Sequence, residues 1–227
     1  MQVCLFLIGE SGTRAPLDAR ALQHAASNVD GLAQLIVHEA IAAQVDPRIA
    51  EDADTPSCVL QWYFADLALL EAACERGGAI QRALQTACAA RISSQQVMAV
   101  RSLKASTETV PERCTYLVAY EGAAADFNAW LTHYLQHHPP LMLQLPGLRE
   151  LEVYTRIDCT SGLPFARSNA MQRNKVVFDD PGSLAGALAS PVRDAMRRDF
   201  HALPPYTGAT PHFAMRSIYG TLAHQHH

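Results

Sequence analysis

The sequence predicts an α+β fold of two fused ferredoxin-like units, each with the element order β-α-β-β-α-β. Hydrophobic residues switch between strand and helix periods in that order, and they do so twice along the chain. A ferredoxin-like sheet carries helices on one face only, so its other face must also be covered. We therefore expect the two sheets to pack against each other, with the helices outside.

Three stretches of the first half match stretches of the second half in the same order. Gly31 matches Gly147, Phe64 matches Phe178 and Arg101 matches Arg216, at offsets of 116, 114 and 115 residues. This pattern predicts a tandem duplication. The predicted parts are a first unit over 1–104, a linker over 105–113, a second unit over 114–220 and a disordered tail over 221–227.

The elements of the first unit follow from periodicity and composition. Strands are predicted where residues are apolar, alternating, or rich in aromatic and β-branched side chains, and helices where apolar residues recur at helical spacing. Pro16 is expected to open the first helix, and Asp66 to cap the second. The order is strand 3–9, helix 17–28, strand 32–42, strand 58–65, helix 67–88 and strand 96–103.

The second unit repeats that order with one unusual segment. Pro139 and Pro140 are expected to end its first helix at residue 138, because proline lacks the N–H group that a helix needs. The predicted elements are strand 114–121, helix 125–138, strand 148–158, strand 172–178, helix 182–200 and strand 211–219.

Composition argues against several classes of protein. The chain has 227 residues, 49% of them hydrophobic and 18% charged, with a net charge of −4 and no basic run, so a nucleic-acid-binding face is not expected. No apolar run reaches the ~18 residues of a membrane span. The six cysteines lie apart in mostly apolar surroundings, and the N-terminus reads as a strand rather than a signal peptide. We expect free thiols and a cytoplasmic protein.

Several motifs of the second half together carry a family resemblance. Their residues are Phe127, Trp130, Tyr134, His138, Pro140, Leu141, Leu145 to Leu148, Val176 to Asp180, Ser183, Leu184 and Ala189 to Pro191. These motifs resemble the EthD-like family of the dimeric α+β barrel superfamily. The resemblance covers about 114–218 and implies the fold inferred above. Relatives in the superfamily include cofactor-free monooxygenases, lactone isomerases, polyketide cyclases and haem enzymes, so the fold does not choose a reaction.

Tyr134 and His138 are the candidate catalytic residues. They are four residues apart, so on a helix they share one face and can reach one ligand. A histidine with a pKa near neutrality serves as general acid or base, and a tyrosine beside it can polarise a carbonyl oxygen. The alternatives are a histidine that only caps its helix and a tyrosine that only packs. Trp130, from the same motif, is a candidate for substrate binding.

Two other groups of side chains are open to more than one interpretation. His133 and His137 have a metal-chelating spacing, but we interpret them as a solvated pair and predict no metal site. The matched Arg101 and Arg216 are expected to face solvent or to pair with the matched Asp66 or Asp180. Their alternative role is to bind a substrate carboxylate.

Tyr154 is one of several aromatic residues on predicted strands that are candidates for lining a cleft. The alternative for each of them is packing in the core. The others are Trp62, Tyr63, Tyr116 and Tyr120.

Together these features predict an enzyme that needs no cofactor and acts on a small, largely apolar oxo or aromatic compound. The expected chemistry is enolisation, cyclisation, isomerisation or oxygenation. The alternatives are a non-catalytic binding or accessory protein that uses the same cleft, and an oligomeric scaffold with a vestigial cleft. A small-molecule ligand is the expected partner, and a homodimer is possible.

Overall fold

The computed structural model describes residues 1–12, 17–41, 45, 55–88, 90–108 and 110–220. Pro16 and the predicted tail over 221–227 lie outside these residues. The first half contains β1 (Val3–Gly9), α1 (Ala19–Ala26), β2 (Leu32–Ala40), β3 (Cys58–Phe64), α2 (Leu67–Ala73), α3 (Ala79–Ala87) and β4 (Ile92–Lys104). The second half contains β5 (Glu112–Tyr120), β6 (Ala123–Ala124), α4 (Phe127–Met142), β7 (Glu150–Arg156), β8 (Ala166–Arg167), β9 (Gln172–Phe178), α5 (Pro181–Ala189), α6 (Val192–Ala202), β10 (Tyr206–Thr207) and β11 (His212–Tyr219).

Eight strands close into a barrel. The first half contributes the order β4-β1-β3-β2, and the second half contributes the equivalent order β11-β5-β9-β7. Antiparallel pairs between β2 and β11 and between β4 and β7 join the halves at both seams. The predicted fold class, two ferredoxin-like units forming an intramolecular dimeric α+β barrel, is confirmed. Closure at both seams also leaves no open edge in this barrel.

Each strand presents alternate side chains to the helices and to the barrel interior. The helix-facing side chains form two apolar cores, one per half, around residues such as Trp62 in the first half and Trp130 in the second. A third cluster, which includes Phe6, Tyr63 and Tyr154, lies inside the barrel. Successive residues of one strand therefore belong to different environments.

Two of the predicted helices are each divided in two. The helix predicted over 67–88 breaks between α2 and α3, where Gly77 takes a positive φ of 70° that a side chain would disfavour. The helix predicted over 182–200 breaks between α5 and α6 at Ser190, which precedes Pro191. The continuous helices were wrong because local breakers outweighed the apolar period.

Pro139 and Pro140 do not end α4, which continues to Met142. Pro139 and Met142 are buried in the second-half core, and the Leu143 N–H donates to the Pro139 carbonyl at 2.9 Å. Burial of this last turn offsets the donors that the prolines lack. His138 therefore lies inside the helix, and its predicted place at the helix end was wrong.

The matched aspartates cap helices and do not pair with the matched arginines. Asp66 accepts a hydrogen bond from the Ala68 N–H at 2.8 Å, which confirms its predicted cap, and Asp180 accepts one from the Ser183 N–H at 2.7 Å. Arg101 and Arg216 are both exposed, as one of the two predicted alternatives has it. The other alternative, ion pairs with Asp66 or Asp180, was wrong because each carboxylate already faces the start of its own helix.

All six cysteines are free, as predicted, and Cys4, Cys58, Cys74 and Cys114 are buried. Burial raises the pKa of the Cys74 thiol to about 12, so it is protonated at neutral pH. No helix within the described ranges is long and apolar enough to cross a membrane.

Candidate functional site

The candidate site lies between α4 and the helix-facing surface of the second-half sheet, and we call it the helix-side site. It consists of Trp130, Tyr134 and His138 from α4, Asp199 from α6, and Thr155, Gln172 and Asn174 from the sheet. The three α4 residues are spaced by four, so they share the face that packs on the sheet. Asp126 fixes the start of this helix by accepting a hydrogen bond from the Ala129 N–H at 2.9 Å.

The α4 residues sit in an aromatic environment. The rings of Trp130 and Tyr134 are stacked at 5.3 Å, and both meet the Tyr120 ring edge-on at 5.2 and 5.4 Å. The rings of Tyr134 and His138 are 5.1 Å apart. Tyr134 and His138, the predicted catalytic pair, are therefore adjacent and buried in an apolar, aromatic region.

His138 has a carboxylate partner that orients its ring. Its Nδ1 lies 2.8 Å from the Asp199 carboxylate, with the two side chains only 7% and 10% exposed. Such a partner favours the tautomer with the proton on Nδ1, which leaves the Nε2 lone pair free. Burial lowers the pKa of His138 below its ordinary value, while Asp199 acts in the opposite direction. The neutral imidazole is therefore the resting form at neutral pH.

The polar atoms of Trp130 and Tyr134 are buried. Neither the Trp130 indole N–H nor the Tyr134 hydroxyl makes a hydrogen bond of normal geometry within the described residues, although Asn174 and Tyr120 lie near enough to the Tyr134 hydroxyl to affect its pKa. Burial raises the pKa of Tyr134 well above its usual value, so the hydroxyl keeps its proton. It can donate that proton in a hydrogen bond to a group that enters the site.

Polar side chains also line the floor of this site. In β9, Val176 and Phe178 belong to the helix-facing core, so by alternation Gln172 and Asn174 face the helices too. The Gln172 amide Nε2 lies 3.4 Å from the Asn174 Oδ1, whereas the Gln172 Oε1 has no partner among the described residues. Thr155 of β7 is directly opposite Gln172.

The remaining predicted binding residues are divided between three places. Arg101 lies at the edge of the floor, where its Nη1 donates to the Thr155 Oγ1 at 2.6 Å. Arg216 is on the exposed surface of β11 and pairs with Glu39 at 2.6 Å. Tyr154 faces the barrel interior, on the opposite surface of the sheet from Tyr134.

A second group of buried polar side chains fills the barrel interior, and we call it the lumen network. Its members are Thr115, Ser217, His38, Gln61, Tyr154, Tyr63, Glu152 and Lys175. His38 bonds to the Ser217 hydroxyl at 2.7 Å and to the Gln61 Oε1 at 2.6 Å. Gln61 Nε2 in turn donates to the Tyr154 hydroxyl at 2.9 Å, so the network is continuous across the barrel.

The lumen network ends in a buried ion pair. Lys175 Nζ lies 2.9 Å from the Glu152 carboxylate and 3.2 Å from that of Glu150, and Tyr63 and Tyr154 both donate to Glu152. Burial alone would lower the pKa of Lys175, but Glu152, Tyr219 and Glu150 together outweigh burial and the pKa is raised. Lys175 is thus an ammonium ion, unsuited to act as a nucleophile.

A cleft of about 710 Å³ opens at this end of the barrel. Its lining includes Gln2, Gln34, Lys104, Glu150, Lys175 and Tyr219. The charged groups at its base are already paired with each other, so they offer a ligand little unpaired hydrogen-bonding capacity.

Of the two histidines predicted to form a solvated pair, His133 is half-buried and His137 is exposed. His133 and His137 have ring centroids 4.6 Å apart, and His133 Nε2 lies 3.4 Å from the second oxygen of Asp199. Within the described residues, no group of three or more histidine, cysteine, aspartate or glutamate side chains is arranged to hold a metal ion.

Sequence reasoning missed Asp199, Gln172 and Asn174. A signal for the last two was present, since Gln172-Arg-Asn-Lys175 places four polar residues in a strand that is otherwise apolar. A strand buried on both faces that is polar on both faces indicates two internal polar sites. Asp199 gave no comparable signal, because it lies on an ordinary charged helix 61 residues after His138.

Solved structures show which fold this is. A proposed monooxygenase from Fusobacterium nucleatum matches with a TM-score of 0.59 and 8% identity over 97% of this chain and 94% of that chain. An anthrone oxidase-like protein matches with a TM-score of 0.56 and 11% identity over 96% and 93%. These likenesses establish the dimeric α+β barrel fold.

An EthD family protein from Bacillus halodurans is also among the structural neighbours. It shares 22% identity over 45% of this chain and 95% of its own, with a TM-score of 0.38. The neighbours with TM-scores above 0.5 agree with the predicted fold. No protein-family model and no curated protein matches the sequence.

Proposed function

We propose that the chain is a small-molecule enzyme that needs no cofactor and moves a proton at a carbon next to a carbonyl group. The substrate is a small, largely apolar oxo or aromatic compound, bound in the helix-side site. The observation that carries the proposal is the pair of His138 and Asp199 beside the buried Tyr134 hydroxyl.

His138 is the general base of the proposed reaction. Its Nε2 takes a proton from the α-carbon, the electrons of that C–H bond form a C–C double bond, and the carbonyl π electrons move to oxygen. The Tyr134 hydroxyl donates a hydrogen bond to the resulting enolate oxygen. Asp199 stabilises the imidazolium ion that forms, and return of the proton to carbon completes an isomerisation.

The aromatic surroundings favour this chemistry. Trp130 and Tyr120 exclude water from the region around Tyr134, and a hydrogen bond to an enolate is stronger in such a region than in water. An apolar ring system is also the ligand that aromatic side chains pack against best.

Deuterium exchange tests the proposal without knowledge of the natural substrate. The probe is 2-acetonaphthone, an aryl methyl ketone whose methyl protons exchange through its enolate. In D2O, proton NMR should show faster loss of the methyl signal with protein than in buffer. His138→Gln should slow the protein-dependent exchange by about 10²- to 10⁴-fold. His137→Gln, an exposed neighbour on another face of α4, is the matched control and should leave the rate unchanged.

The exchange rate should also depend on pH in a defined direction. A base must be neutral, so the rate should rise with pH and level off above the pKa of His138. Burial holds that pKa below the ordinary histidine value of about 6.5, so the plateau should already be reached at neutral pH.

Oxygenation is tested separately with anthrone, a probe suggested by the name of one structural neighbour. Its reaction to anthraquinone and water consumes one dioxygen per molecule, which an oxygen electrode records. Binding of both probes without exchange or oxygen uptake would overturn the enzyme proposal and support the non-catalytic binding protein.

A further inference from the structure

We propose that Gln172 sets substrate specificity by accepting a hydrogen bond from the substrate through its Oε1. The substrate is then an aromatic compound that carries both a carbonyl group and a hydrogen-bond donor. This inference rests on the proposed function, because it names the substrate class of the same site.

Gln172 is fully buried, yet only one end of its amide is engaged. Its Nε2 contacts the Asn174 Oδ1 at 3.4 Å, while its Oε1 has no partner among the described residues. A buried polar group left unpaired costs about 1–3 kcal/mol, which a ligand donor in the same place would recover.

The neighbouring acceptor on the floor is already occupied. The Thr155 Oγ1 accepts a hydrogen bond from Arg101 at 2.6 Å, and Thr155 lies directly across from Gln172. Gln172 therefore offers the unpaired acceptor at this end of the helix-side site, beside Tyr120 on the adjacent strand.

The other unpaired groups of the site require the opposite kind of ligand atom. The Trp130 indole N–H can only donate, and the Tyr134 hydroxyl can donate to a carbonyl or an enolate oxygen. One acceptor and two donors, facing stacked aromatic rings, match a ring system with a carbonyl group and a donor group at separate positions.

A buried indole N–H alone would not support this inference. Trp62 of the first half also has an indole N–H with no partner among the described residues. The helix-side site differs because unpaired groups from both α4 and β9 occur in it. Their complementary donor and acceptor roles point to a ligand rather than to one unfavourable contact.

Three matched naphthalene ketones test the inference. The probes are 2-acetonaphthone, its 6-hydroxy derivative and its 6-amino derivative, and their dissociation constants are measured by isothermal titration calorimetry. The wild-type protein should bind at least one of the two donor-bearing ketones about tenfold more tightly than 2-acetonaphthone. A preference for the hydroxyl derivative assigns an O–H donor, and a preference for the amino derivative assigns an N–H donor.

Gln172→Met removes the amide while keeping a side chain of similar length and volume. In this variant the preference should fall below about twofold, with little change for 2-acetonaphthone itself. Gln172→Leu gives the same comparison if the methionine variant does not fold. A preference that survives both substitutions, or wild-type protein that binds none of the probes, would overturn the inference.

The binding and exchange experiments fail independently. His138→Gln should abolish methyl exchange but keep the preference for a donor, because it changes the base and not the acceptor. A donor preference without exchange would contradict the proposed function alone. Exchange without a donor preference would contradict the role of Gln172 alone.

Discussion

The lumen network and the helix-side site are both buried and polar, and they lie on opposite faces of the same strands. Tyr154 and Lys175 face the lumen, and the adjacent Thr155 and Asn174 face the helices. In the lumen network, every member is hydrogen-bonded or ion-paired to another. In the helix-side site, the Trp130 indole N–H, the Tyr134 hydroxyl and the Gln172 Oε1 make no hydrogen bond of normal geometry within the described residues.

This difference separates two uses of buried polar groups. A network whose members are all paired holds the strands of the barrel in one arrangement, and its loss affects folding. Unpaired groups lower the free energy of unfolding, so their presence is best explained where a ligand supplies the missing partners. We therefore propose that the lumen network stabilises the fold and that the helix-side site binds a ligand.

The largest effect on stability should come from Lys175→Met. It leaves the Glu152 carboxylate buried without its counter-ion, and loss of one partner of a buried ion pair costs about 3–5 kcal/mol. Urea unfolding followed by circular dichroism measures the change. The double variant with Glu152→Gln should recover part of the loss, because no unpaired charge remains. A cost below about 1 kcal/mol would show that the ion pair is not structural.

His38 should make stability depend on pH. Burial lowers its pKa to about 3, so the folded protein holds it neutral, while the unfolded chain binds a proton below about pH 6.5. Its contribution is therefore present above pH 6.5 and is lost as the pH falls, by about 1.4 kcal/mol per unit.

The comparison with His38→Gln isolates this contribution from that of the carboxylates, which titrate in the same range. Wild-type and variant unfolding energies, measured between pH 4 and 7, should converge as the pH falls. Parallel curves for the two proteins would mean that His38 is not held neutral by the fold.

The smallest effects compare one tyrosine from each region. Tyr63→Phe removes hydroxyl contacts to Tyr154 at 2.7 Å and to Glu152 at 2.8 Å, and should cost about 1–3 kcal/mol. Tyr134→Phe removes an unpaired hydroxyl and should be neutral or slightly stabilising in urea unfolding. Equal costs for the two variants would remove the distinction between the regions.

The sequence predicted the fold because strands and helices can be recognised from hydrophobic periodicity, which is a local property of the chain. The strands of both halves and the Asp66 cap follow from alternation and from a residue type suited to a helix start. The prediction that this helix ends at residue 138 was wrong, because the last turn of α4 is stabilised by burial, which is a tertiary effect. The prediction of one continuous second helix in each half was wrong, because Gly77 and Ser190 interrupt the helices although the apolar pattern continues past them.

The candidate site could be predicted only where its residues lie on one element. Tyr134 and His138 were found together because helical spacing places them on one face. The pairing of His138 with Asp199 depends on how α6 packs against α4, and no sequence spacing encodes it. Likewise, the sequence does not show whether Tyr154 or the adjacent Thr155 faces the helices. That depends on how the strand is placed in the closed barrel.

The most direct test of the central distinction uses the two tryptophans of the chain, Trp62 and Trp130. Their indole N–H groups are both buried and unpaired, one in each half. The ¹H–¹⁵N spectrum of the protein should be recorded during titration with the 6-hydroxy derivative of 2-acetonaphthone, with the signals assigned by Trp130→Phe. We predict that the Trp130 indole signal shifts and the Trp62 signal does not. A shift of Trp62 alone, or of both signals equally, would contradict a ligand site beneath α4.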